Sequence, residues 1–90
     1  MKVIYLNGSN IWSKSDLHSE LADQMRFPWY YGRNLDALYD LLSTEREHCL
    51  FIIKNKEELA ENLGGYYFAL TDVLEDVSRE NDRIAWMTAD

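Results

Sequence analysis

Cysteine is nearly absent from this sequence: Cys49 is the single one in 90 residues. One thiol cannot close an internal disulfide, so the fold does not depend on an oxidising compartment. Cys49 opens the run Cys49-Leu50-Phe51-Ile52-Ile53 and reads as a small buried apolar residue. With only two histidines, His18 and His48, far apart in sequence, there is no Cys/His cluster for a metal site and no recognisable catalytic triad. His18 reads as an ordinary exposed helix residue. No glycine-rich phosphate loop occurs, and Gly64-Gly65 reads as a helix stop followed by a turn. No segment approaches the ~20 apolar residues of a membrane span. Met1-Lys2 is followed only by a short apolar run, Val3 to Leu6, which does not resemble a secretory leader and predicts a cytoplasmic location.

Positive charge is also scarce. Nine basic residues stand against 16 acidic ones, a net charge of -7. Such a surface repels phosphates and excludes nucleic acid as the expected ligand, while favouring a basic partner reached by electrostatic steering. Hydrophobic residues still make up 47% of the chain, enough to expect a packed core rather than disorder. Without linker, repeat or low-complexity stretch, residues 1–90 are expected to form one domain.

Apolar runs at Val3–Leu6, Leu50–Ile53 and Arg83–Met87 predict three strands, the first closed by the turn signal Asn7-Gly8. Ser13-x-x-Asp16 predicts a helix start, with Leu17, Leu21 and Met25 at helical spacing and Pro28 ending the helix at or before Phe27. Asn34 is a good cap for a second helix from about Leu35 to Ser43. Asn55-x-x-Glu58 repeats the capping pattern ahead of a third short helix stopped at Gly64. Tyr66, Tyr67, Leu70, Val73, Leu74 and Val77 space out a fourth, to about Ser78. Strands separated by helices imply parallel pairing, so the expected fold is α/β, a three-stranded parallel sheet with about four helices.

The second helix carries the functional signal. Leu35, Leu38, Leu41 and Leu42 share its core side, so Asp36, Tyr39, Asp40 and Ser43 face out. Tyr30 and Tyr31 precede it across Gly32, giving a patch of phenols and carboxylates. Aspartates are depleted from interface centres unless the partner brings matching positive charge, so the patch asks for arginine, lysine or histidinium opposite it. The bland alternative is a solvated helix face, with Asp36 complementing the helix dipole and Arg33, three residues earlier, within reach of it. On the fourth helix, Asp72, Glu75, Asp76 and Arg79 line up similarly. Asp36 and Asp40 sit one turn apart, near the spacing of a glycosidase pair, but an open helix face offers nothing to raise either pKa, so no catalytic residue and no cofactor are expected.

The run Tyr30-Tyr31-Gly32-x-Asn34-Leu35-Asp36-Ala37-Leu38-x-Asp40 closely resembles the signature of the barstar family of intracellular ribonuclease inhibitors. Asn7-Gly8, Ser15-Asp16-Leu17-His18 and the proline before the paired tyrosines fit the same pattern, and the resemblance extends over the whole chain. It implies a barstar-like three-layer α/β unit, monomeric when free, that blocks the active site of a secreted guanyl-preferring ribonuclease or ribonuclease toxin domain. It further implies that Asp40 enters the scissile-phosphate site, that Asp36 pairs with a nearby basic group, and that Tyr30 packs on the catalytic histidine. Gly32, Asn34 and Leu35 then supply contacts around the helix start, Ser43 stands where a threonine is common, and Asp76 or its neighbour Glu75 adds an acid from the fourth helix. Tyr39 replaces the family's tryptophan and Arg33 an acid, which points to a target other than barnase. The alternative is an acidic adaptor that binds a basic protein other than a nuclease.

Overall fold

Residues 1–89 are described in a computed structural model. The three apolar runs form β1 (Lys2–Asn7), β2 (Cys49–Lys54) and β3 (Ile84–Thr88). Between them lie α1 (Lys14–Met25), α2 (Leu35–Ser43), α3 (Lys56–Leu63) and α4 (Gly65–Glu80). The strands pair in parallel in the order β1-β2-β3, with Ile4 beside Phe51 and Phe51 beside Trp86. The α/β expectation is met.

Alternation along the strands decides which side of the sheet is covered. Ile4 and Leu6 of β1, Cys49, Phe51 and Ile53 of β2, and Ile84 of β3 are buried, whereas Val3, Tyr5, Ala85 and Met87 are exposed. Leu17, Leu21, Leu38, Leu42, Leu59, Leu70 and Leu74 complete the core from the helices. Helix α1 packs on β1 and α4 on β3, and both α2 and α3 lie against α4.

Local chemistry sets the boundaries. Ser13 caps α1 by accepting from Asp16 N at 3.1 Å, and the Asp16 carboxylate accepts from Trp12 N at 3.0 Å. The helix ends two residues earlier than Phe27, at Met25, with Arg26 left-handed (φ 55°). The outer edge of β1 is occupied by one side chain: Gln24 accepts from Tyr5 N and donates to Tyr5 O, both at 2.8 Å.

Two expectations need correction. Asn55 makes no side-chain cap for α3. Parallel pairing brings Asn7 beside Lys54, so the Asn55 amide meets Asn7 Oδ1 at 2.8 Å, and Asn55 itself is left-handed (φ 53°). The same crossing requires Gly8, because a Cβ there would lie 2.2 Å from Asn55 O. At the other end of α3 only Gly64 acts as the stop (φ 61°, ψ −139°). Gly65 already belongs to α4.

Candidate functional site

Helix α2 begins as its sequence dictates. Asn34 Oδ1 accepts from Ala37 N at 2.7 Å while the Asn34 backbone stays extended. Asn34→Ala is expected to cost about 1 kcal/mol of folding stability, read as a lower urea midpoint at unchanged m-value. Leu38 and Leu42 are fully buried, Leu35 and Leu41 half-buried, so the leucine side faces inward as expected. Asp36 and Asp40 are exposed, and Tyr39 and Ser43 half-exposed.

The segment before α2 divides its two tyrosines. Tyr30 is 68% exposed, but Tyr31 is only 7% exposed and turned into the core. Its hydroxyl meets His18 Nδ1 at 2.7 Å, and the other ring nitrogen of His18 meets the Tyr66 hydroxyl at 2.8 Å. His18, 1% exposed, is thus a buried strut rather than a surface residue, because α1 turns this position toward the segment that leads into α2 and toward α4. Burial first, and the Arg33 guanidinium second, hold the His18 pKa below its ordinary value. Burial and the neighbouring Tyr66 push the Tyr31 phenol up, against the opposing pull of Arg33. Tyr31 therefore contributes to the face as a wall held from behind. With Tyr30, Gly32, Ala37, Asp40 and Leu41 it lines a depression of about 180 Å³, largely apolar apart from Asp40. A larger hollow of about 280 Å³ beside β1 is lined by Gln24, which already binds Tyr5, and by both Glu20 and Lys54. It offers no concentrated charge.

Arg33 does not pair with Asp36. It takes a left-handed backbone (φ 54°), and its Nη2 donates to Ser15 O at 2.9 Å and Ser19 Oγ at 2.8 Å, which anchors it to α1. Among the described residues the ion pairs are Lys2–Glu47, Glu75–Arg79 and Asp82–Arg83, so none of their cations neutralises Asp36, Asp40 or Asp76.

The adjacency that the sequence leaves open is present: α2 lies on α4. The Tyr39 hydroxyl donates to the Glu80 carboxylate. That bond comes first, followed by burial and the charges of Glu80, Asp76 and Asp40, in raising the Tyr39 pKa. One phenol therefore feels acids from both helices. Glu75 is engaged elsewhere, accepting from Trp86 Nε1 at 3.0 Å and pairing with Arg79 at 3.3 Å. Asp76 is exposed and unpaired among the described residues. Asn81 fastens the two helices, its Nδ2 donating to Leu42 O at 2.8 Å and Glu45 O at 3.0 Å, and its backbone N to Val77 O at 2.7 Å.

Sequence reading missed Glu80, whose link to Tyr39 spans 41 residues and has no local signal. It also read Ala37 and Leu41 only as motif or core, although both reach the depression. Among the described residues no group of acids, histidines and cysteine could hold a metal, and no helix is long and apolar enough to cross a membrane.

The family described as Barstar (barnase inhibitor) matches residues 1–88 of the chain. The protein named "Putative ribonuclease inhibitor YrdF" of Bacillus subtilis (strain 168) is 36% identical over 81 residues, an alignment covering 89% of each chain.

Proposed function

The chain belongs to the barstar family, and from that membership we propose that it inhibits a secreted, guanyl-preferring microbial ribonuclease by seating the α2 face in the nuclease active site. The observation that carries this reading is the pair of packed helices presenting Asp36, Asp40 and Asp76 without an internal cation among the described residues, with Asp40 on an aromatic-walled depression. Asp40, at the rim of that depression, takes the place of the scissile phosphate and meets the arginine and histidine that bind it. Asp36 pairs with an adjacent basic side chain, and Asp76 adds a third carboxylate from α4. Tyr30 lies against the catalytic histidine, while Gly32, Asn34 and Leu35 let the partner approach the start of α2 closely. Tyr31, Tyr39 and Ser43 shape the face rather than carry its charge.

The physics is substitution of like for like. A cleft built to hold RNA phosphates already supplies the charge-assisted hydrogen bonds that desolvated carboxylates need. The chain acts as a stoichiometric plug, as one domain, monomeric and cytoplasmic, and needs no cofactor or metal. Tyr39 in the family's tryptophan position, and Arg33 where an acid is usual, favour a target other than barnase itself.

Inhibition of a panel of small basic ribonucleases at several salt concentrations tests the reading. At least one enzyme is expected to be inhibited at one-to-one stoichiometry, with an association rate that falls as salt rises. Inhibition of none of them would shift the weight to a basic partner other than a nuclease.

A further inference from the structure

Trp29 is 95% exposed, more than any other large hydrophobic side chain among the described residues. It immediately precedes Tyr30, which walls the depression, and the two rings meet edge to face with centroids 5.7 Å apart and planes 86° apart. That contact leaves indole face area open to solvent. Two other aromatic faces are covered by the chain's own cations: Lys14 Nζ lies 4.6 Å from the Tyr66 ring centroid, and Lys54 Nζ lies 5.0 Å from that of Tyr5. No cation of the described residues covers Trp29. Arg26 and Arg33 flank it in sequence, and Arg33 is tied to Ser15 and Ser19.

We propose that Trp29 is a specificity-determining contact of the same interface, a platform on which an arginine of the ribonuclease stacks. The inference rests on the inhibitor reading above and adds to it a residue and a partner chemistry. An uncovered indole against Tyr30, which shares the depression with the unpaired Asp40, meets a cationic surface when that face is engaged. Its π-face is then a cation acceptor that carries no charge of its own. Guanidinium suits it better than ammonium, being planar, weakly hydrated and able to stack. Being uncharged, Trp29 holds the complex together without steering it, so its effect falls on dissociation.

The test uses a purified small basic ribonuclease that the wild-type chain inhibits, with Trp29→Ala, Trp29→Phe and Asp40→Ala compared. Trp29→Ala is expected to raise the inhibition constant roughly 10- to 30-fold, almost entirely through faster dissociation, with Trp29→Phe intermediate. Its thermal midpoint should stay at the wild-type value. Phenylglyoxal footprinting should find one ribonuclease arginine protected by the wild-type chain and reactive in the Trp29→Ala complex. If Asp40→Ala loses inhibition while Trp29→Ala keeps it, the platform is refuted and the inhibitor reading stands. Weakened binding with an unchanged arginine footprint overturns the partner chemistry. If no ribonuclease of the panel is inhibited, both inferences fall together.

Discussion

Asp40→Ala is expected to weaken inhibition of the target ribonuclease on the order of a hundred- to several-thousand-fold. Removing one partner of a desolvated charge pair leaves the other charge buried and uncompensated, at a cost of about 3–5 kcal/mol. The carboxylate is suited to this role because nothing within the described chain pairs with it, and its exposure means that no fold-stabilising contact is lost with it. The variant should therefore melt like the wild type. Asp40→Asn separates shape from charge: it keeps the volume and should still lose most of the affinity, together with part of the salt dependence of association. Arg33→Ala should cost far less binding, since its guanidinium is spent on Ser15 and Ser19 of α1. A titration of nuclease activity in which Asp40→Ala and Arg33→Ala lose affinity equally would place the charge centre elsewhere.

The second large effect concerns stability. His18→Leu removes the only groups among the described residues that hold the Tyr31 and Tyr66 hydroxyls. Tyr66 is half-buried and can turn to water, but Tyr31 is enclosed, and an unsatisfied buried hydroxyl costs about 1–3 kcal/mol. The loss should depend on pH in a definite direction. The folded state holds the His18 pKa below 6.5, so the unfolded chain binds the extra proton more readily and stability falls on acidification. The contribution is complete above pH 6.5 and is lost progressively as the pH drops from there to the lower folded-state value. Urea denaturation should therefore show a wide gap between wild type and His18→Leu at pH 8, narrowing at pH 5.5. A gap that widens toward acid would mean that the buried imidazole is favoured in its charged form. Because Tyr31 walls the depression, the variant should also bind the ribonuclease more weakly than its stability alone explains.

Most of this architecture was legible in the sequence because it is set by local rules. Ser13 and Asn34 cap their helices as their residue types require, the leucines of α2 face inward by periodicity, and the apolar runs become parallel strands because helices separate them. What escaped the sequence is tertiary in origin. Asn55 has the pattern of a cap, yet strand register brings Asn7 within reach and captures its amide. His18 and Tyr31 looked like surface residues, and only the packing of α1 against the segment before α2 turns them to face each other. Arg33 and Asp36 are close in sequence, yet the left-handed backbone at Arg33 and its hydrogen bonds to α1 keep them from pairing. The charged face itself was readable on α2 alone. That Glu75 is engaged while Asp76 stays unpaired among the described residues was not, because it depends on where Trp86 of β3 comes to rest.

Asn81 has a consequence for recognition. One side chain bridges two carbonyls beyond the middle of α2 while its own backbone closes the last turn of α4. The gap between the acids of the two helices is thereby set in the uncomplexed molecule. Docking then asks little further ordering of the backbone, and the entropy that a looser scaffold surrenders on complex formation is not subtracted from affinity. Free and bound shapes should nearly superpose, as in pre-organised complexes generally.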